Sequence, residues 1–169
     1  MLASEKRSLE GNGRPHPVRV AIAGGGIGGM ALALSLHDAG FRDVDVYESA
    51  SSVKELGVGI NLLPHATRGL TELGLLDELM AVGIPTAELA FYSKYGQRIW
   101  REPRGIAAGY RWPQFSIHRG QLLGLLHRAV IERLGPERMH PGHHLSRFGQ
   151  GAGHVWADFG ERGSDLPHG

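Results

Sequence analysis

One stretch constrains this chain more than any other: Val18-Arg19-Val20-Ala21-Ile22-Ala23-Gly24-Gly25-Gly26-Ile27-Gly28-Gly29. An apolar, β-branched run feeds a glycine turn, and a helical pattern follows. Gly24, Gly26 and Gly29 stand at the three glycines of G-x-G-x-x-G. In that arrangement the first glycine allows a tight turn out of a strand. The second lets a pyrophosphate approach the backbone, where a Cβ would block it. The third lets the following helix pack closely on the strand. The helix N-terminus then directs free N–H groups and a partial positive charge at phosphate.

Glycine makes up 26 of the 169 residues, so the bare motif decides little and its surroundings must. A helix is expected over 27–39, stopped by Gly40 in a C′ role. A second strand, Val44-Asp45-Val46-Tyr47, ends in Glu48, 24 positions after Gly24, where a carboxylate meets a ribose hydroxyl in a dinucleotide fold. Strand, glycine turn, helix, strand and acid arrive in the order a βαβ unit requires. The alternative on these residues is a nucleotide-free α/β turn with a chance glutamate.

Composition narrows the function classes. Lys+Arg total 18 against Asp+Glu 17, for a net charge of +1, and the basic residues are scattered, which argues against a nucleic-acid or anionic-membrane partner. With no cysteine there is no disulfide, thiolate metal site or cysteine nucleophile. Hydrophobic residues reach 41%, enough for a core, but no run is long enough to span a bilayer. Residues 1–17 lack the apolar segment of a signal peptide and read as a disordered leader, so a cytoplasmic location is expected.

Further along, residues 49–54 read as a polar turn and 56–64 as a glycine loop, with Gly57 and Gly59 flanking Val58. Two short helices, 65–73 and 75–82, break at Gly74. A hairpin over 87–101 interrupts the βα alternation, and a long loop, 102–113, carries Arg104, Tyr110, Arg111 and Trp112. Phe115–His118 is a short strand. Arg119 opens the longest helix, which ends near Gly135-Pro136 with a stripe of Leu122, Leu125, Leu126, Ala129, Val130 and Leu134. Strands 144–148 and 154–159 flank a glycine-rich turn, 149–153, and the tail from Gly160 is expected to fray. His140, His143, His144 and His154 have no acidic residue at ligand spacing, so no metal site is expected.

Five stretches in order carry a family resemblance: Ala23-Gly24-Gly25-Gly26-Ile27-Gly28-Gly29, Tyr47-Glu48-Ser49, Leu56-Gly57-Val58-Gly59-Ile60-Asn61, Glu102-Pro103-Arg104-Gly105 and Ser116-Ile117-His118-Arg119-Gly120-Gln121-Leu122. From Val20 to about Phe148 the chain resembles the class A flavoprotein aromatic monooxygenases, in particular the phenazine-1-carboxylate and salicylate hydroxylases. The resemblance implies an α/β, Rossmann-like FAD-binding domain over 18–159. Its hairpin at 87–101 would start an antiparallel substrate-domain sheet.

FAD is the implied cofactor, with NADH or NADPH as reductant and a small aromatic compound as substrate, hydroxylated through the flavin C4a-hydroperoxide. Gly24, Gly26, Ile27, Gly28 and Gly29 would hold the pyrophosphate and Glu48 the adenosine ribose. Gly57, Val58 and Gly59 would approach the isoalloxazine ring, while Arg119 and Gln121 would contact FAD from the helix start. No catalytic residue is assigned. On the residues alone an NAD-linked dehydrogenase remains open, because Glu48 suits a ribose diol in either cofactor.

The departures from the family are as specific. Its members run to more than twice this length and carry a middle D-G motif and a late G-D motif. Here Asp158 is followed by Phe159, Asp165 by Leu166, and no glycine precedes an aspartate. The chain is therefore expected to be an N-terminal portion, incomplete relative to the family and inactive alone. A non-catalytic remnant is the other reading.

Overall fold

The computed structural model of the chain describes residues 17–52 and 58–160. Residues 1–16 of the leader expected over 1–17, residues 161–169 of the tail expected from Gly160, and Gly57 lie outside the described residues.

Strand β1 (Val20–Ala23), helix α1 (Ile27–Asp38) and strand β2 (Val44–Glu48) form the expected βαβ unit, with β1 and β2 parallel and Val20 opposite Val44. On the far side of β2 a third strand, β8 (Met139–Pro141), pairs in parallel, so the sheet runs β1-β2-β8. Helix α4 (Arg119–Leu134) packs beside α1 on one face of this sheet. Its buried stripe of Leu122, Leu125, Leu126, Ala129 and Val130 meets Met30, Ala33 and Leu34 of α1 and Val44 and Val46 of β2 in one core.

A second sheet breaks the alternation. Strands β3 (Gly59–Leu62), β7 (Gln114–His118) and β4 (Ile84–Thr86) are antiparallel, with β7 in the centre. Helices α2 (Pro64–Glu72) and α3 (Leu76–Val82) connect β3 to β4 and add Leu70 and Leu79 to the core. Strands β5 (Glu88–Tyr92) and β6 (Arg98–Pro103) form the expected antiparallel hairpin. The segment after it is not one open loop, because a 3₁₀ turn spans Gly105–Ala108.

The structure corrects the sequence expectations in four places. Residues 59–62, read as loop, are strand β3, and two unexpected three-residue strands, β4 and β8, each contain a proline (Pro85, Pro141). Both lie at the edge of their sheets, where a missing N–H is tolerated. The turn expected over 149–153 is shorter. Strands β9 (His144–Gly151) and β10 (His154–Gly160) run through the glycines and include Gly160. Trp156 and His154 lie across Gly149 and Gly151, where a Cβ would collide with their rings.

Successive residues of β2 point to opposite faces. Val44 and Val46 enter the helix-side core, while Asp45 and Tyr47 face the other way. Tyr47 stacks on His140 and on Phe159 of β10, with ring centroids 4.6 and 4.2 Å apart, so the β9–β10 hairpin caps the outer face. Asp45 is only 4% exposed. Its carboxylate takes His140 Nε2 at 3.0 Å on one oxygen, with Arg19 at 3.3 Å and Arg138 at 3.5 Å on the other. Burial works to raise its pKa, but the hydrogen bond from His140 and the charges of Arg138 and Arg19 outweigh it and hold the group below 3.8. Asp45→Ala should lower stability by about 2 kcal/mol, less than for a fully enclosed pair because its partners reach solvent. Urea unfolding at pH 7 measures this, and an unchanged midpoint would show that the pairing contributes nothing.

Candidate functional site

The site begins where β1 ends. Gly24 has φ +111°, in the region that favours glycine, and its N–H donates to the Tyr47 carbonyl at 2.7 Å, keeping the turn against β2. Gly29 lies directly beneath Gly24, where a Cβ would overlap the Gly24 carbonyl oxygen. Gly26 is different. Its φ of −77° and ψ of −176° suit any residue, and a Cβ there would meet nothing within 4 Å. No packing contact therefore requires glycine at 26, and the space above it is open.

Gly26 is also the N-cap of α1, and no side chain caps this helix. Nor is there an acidic residue in its first turn. The first-turn N–H groups have no side-chain acceptor, and the partial positive charge of the helix end is not offset by a carboxylate on the helix itself.

Glu48, the last residue of β2, supplies the nearby negative charge. Its Oε2 accepts the Gly25 N–H at 2.8 Å, while Oε1 accepts the Ala50 N–H at 2.7 Å and the Ser49 hydroxyl at 3.0 Å. Burial works to raise its pKa, but these hydrogen bonds prevail and hold it below 4.5. Ser49 and Ala50 were not among the expected site residues. An acid followed by serine at a strand end, able to bond the adjacent backbone, is the signal that points to them.

The second group of expected residues gathers at the start of α4. The Val58 carbonyl accepts the Arg119 N–H at 3.1 Å, and Gly59 pairs with His118. Val58 is 75% exposed; Arg119 and Gln121 are exposed as well. The Arg119 guanidinium makes no hydrogen bond or ion pair among the described residues. The structure thus brings Gly24–Gly29 together with Glu48, and Val58–Gly59 together with Arg119. Because α1 leaves β1 and α4 leads into β8, both helices begin at the carboxyl edge of the parallel sheet, where ligands bind in open α/β folds. His140 and His143 pack on Tyr47, and no group of three or more metal-ligating side chains forms among the described residues. Nor is any described helix long and apolar enough to cross a membrane.

No protein-family model matches the chain. It is 47% identical over 129 residues to the phenazine 1,6-dicarboxylic acid hydroxylase PhzS of Lysobacter antibioticus, covering 76% of this chain and 32% of that protein. A salicylate hydroxylase of Pseudomonas putida is 34% identical over 134 residues, covering 75% and 29%. Among solved structures, 2,6-dihydroxypyridine-3-hydroxylase from Arthrobacter nicotinovorans superposes with a TM-score of 0.65 at 30% identity, covering 86% of this chain and 34% of that one. The chain is homologous to the FAD-dependent aromatic monooxygenases and spans about a third of the length of these relatives.

The hydrogen bonds at Glu48 are strongest with its carboxylate ionised. A carboxyl whose folded pKa is depressed adds stability above its unfolded pKa and loses that contribution as pH falls through the folded value. Replacing Glu48 by Gln should therefore cost about 1 kcal/mol at pH 7, discounted for partial exposure. The difference should shrink as pH falls below the ordinary glutamate value of 4.5. Urea midpoints of the two proteins from pH 7 to pH 3 test this; a difference independent of pH would contradict it.

Proposed function

We propose that this chain is the FAD-binding portion of an NADH- or NADPH-dependent hydroxylase of small aromatic compounds. The observation that carries this reading is the pairing of an open glycine position with an uncapped helix end and an ionised carboxylate 2.8 Å from the intervening N–H. The turn from Gly24 to Gly29, with Ile27 and Gly28, would receive the pyrophosphate. The space left by the missing Cβ of Gly26 admits it, and the N–H groups of the first turn of α1 bind it. Glu48 would accept hydroxyl protons from the adenosine ribose, and its charge would disfavour a 2′-phosphate. Val58 and Gly59 offer an exposed strand edge to the flavin ring, held in place by the bond to Arg119; Arg119 and Gln121 would approach FAD from the start of α4.

Bound FAD would supply the oxygen chemistry. The residues of this chain hold and orient the cofactor, and none is assigned a proton transfer. The phenazine and salicylate hydroxylases among the relatives support an aromatic ring as the substrate class, and a further relative, the FAD-dependent monooxygenase pynG of Aspergillus niger, favours FAD over an NAD-linked dehydrogenase.

Glycines 26 and 29 separate binding from folding. Gly26→Val should keep the thermal unfolding of the parent and weaken FAD binding at least tenfold. Gly29→Ala should destabilise the fold by about 2 kcal/mol or more, because the clash is with backbone. Flavin fluorescence titrations and thermal melts report both; equal FAD affinity in the parent and Gly26→Val would overturn the assignment, and preferential binding of NADH would support the dehydrogenase. A second expectation concerns turnover. The isolated chain should bind FAD weakly and form no hydroxylated product from salicylate- or phenazine-type acids. Tight stoichiometric FAD with coupled product formation would refute that.

A further inference from the structure

Strand β8 ends at Pro141, opposite Glu48, but the chain does not leave the sheet there. Its next two residues turn across the end of β2. The Gly142 N–H donates to the Ala50 carbonyl at 3.0 Å, and the His143 N–H donates to the Glu48 carbonyl at 2.9 Å. The turn is itself held in shape. Gly142 has φ +77°, and a Cβ there would meet nothing within 4 Å, so the backbone conformation and not packing favours glycine. The Pro141 carbonyl accepts a hydrogen bond from His143 Nδ1 at 3.0 Å, and the His143 ring stands edge-on to Tyr47.

We propose that the turn from Pro141 to His143 is a clamp on Glu48, with Gly142 as its positioning residue; the clamp's use to a ligand rests on the proposed role of Glu48 toward the ribose. Segment 48–50 is gripped at both ends, by His143 on the Glu48 carbonyl and by Gly142 on the Ala50 carbonyl. Between those two bonds lies the Ala50 N–H, which donates to Glu48 Oε1 at 2.7 Å. Burial works against the Glu48 charge, and the Ala50 N–H leads the hydrogen bonds that overcome it. With the two N–H groups of the turn aimed elsewhere, Ala50 would be free to rotate and the carboxylate would lose that donor. The other carboxylate oxygen is held from the opposite side, by the Gly25 N–H of the glycine turn. Two turns, one after β1 and one after β8, thus fix the same side chain. The second acts through its backbone alone, so position 142 needs the left-handed conformation and no particular side chain.

Substitutions at position 142 provide the test. Valine is β-branched and resists left-handed backbone, whereas asparagine adopts it. The Glu48 carboxyl resonance of the labelled chain is followed through an acid titration in the parent, Gly142→Val and Gly142→Asn. Its midpoint should lie below 4.5 in the parent, move up toward that value in Gly142→Val, and return in Gly142→Asn. FAD affinity should fall about fivefold in Gly142→Val, and Gly142→Asn should restore it. In the parent, the Gly142 and His143 amides should be protected from deuterium exchange. Thermal melts establish that the variants fold, and Gly142→Ala takes the place of Gly142→Val if the latter does not. A loss of thermal stability alone, with the Glu48 midpoint unmoved, would overturn the proposal. So would an equal shift in Gly142→Asn, or unprotected Gly142 and His143 amides in the parent. If FAD binding still depends on Gly26 in such a case, the cofactor reading stands and only the clamp falls. If the midpoint moves as expected and FAD affinity does not depend on Gly26, the clamp stands and the cofactor reading falls.

Discussion

The structure depends first on how closely α1 approaches the end of β1. Gly29 has no side chain where one would meet the Gly24 carbonyl, so the first turn of the helix lies directly on the turn that precedes it. That contact fixes the direction of the helix axis and with it the aim of the uncapped N–H groups. It also leaves the Gly25 N–H facing β2, where Glu48 accepts it. A side chain at 29 would lift the helix and disturb the core contacts of Met30, Ala33 and Leu34 together with the geometry of the turn. Packing and site geometry share one constraint here.

The outer face of the sheet is held differently. Its central strand presents a charged group and an aromatic ring where a purely apolar layer would serve packing. Asp45 is tolerated because the surroundings of β1, β8 and the turn before β8 each contribute a cation or a histidine, so its ionisation is compensated from three directions. Tyr47 then stacks between His140 and Phe159 and secures a hairpin that has few other anchors to the sheet. Away from that contact the hairpin is open, with Phe148 and Val155 each 79% exposed.

What could be read in the sequence followed from how local its cause was. The βαβ unit, the break at Gly74, the 87–101 hairpin and the α4 stripe depend on periodicity and turn residues within short windows, and all are present. Strands β3, β4 and β8 were not legible because their causes are distant. Pro85 and Pro141 look like strand breakers until Phe115 and Glu48 provide the partner backbone at a sheet edge. Gly149 and Gly151 read as a turn until Trp156 and His154 cover them from the opposite strand. At the site, the spacing of Gly24, Gly26, Gly29 and Glu48 was visible, but the anchors of Glu48 emerge only once the glycine turn, β2 and the turn after it are assembled.

Glu48 ties the glycine turn to the strand end and, on the proposed reading, would also serve a ligand. An ionised carboxylate offers about four lone-pair sites, and Gly25, Ala50 and Ser49 donate to it, Ser49 through both its hydroxyl and its N–H. The backbone donors are fixed by the turn and by the strand end. The Ser49 hydroxyl is a rotor and can turn away, which frees a site for a ligand hydroxyl without breaking a backbone bond. On the proposed reading that hydroxyl belongs to the ribose, and the backbone N–H bonds keep its acceptor ionised by opposing protonation. A phosphate at the 2′ position would replace a donor with a second anion beside a carboxylate that cannot be neutralised cheaply. On the proposed binding of FAD, the same hydrogen bonds that tie the glycine turn to β2 would therefore set the kind of ribose the turn accepts.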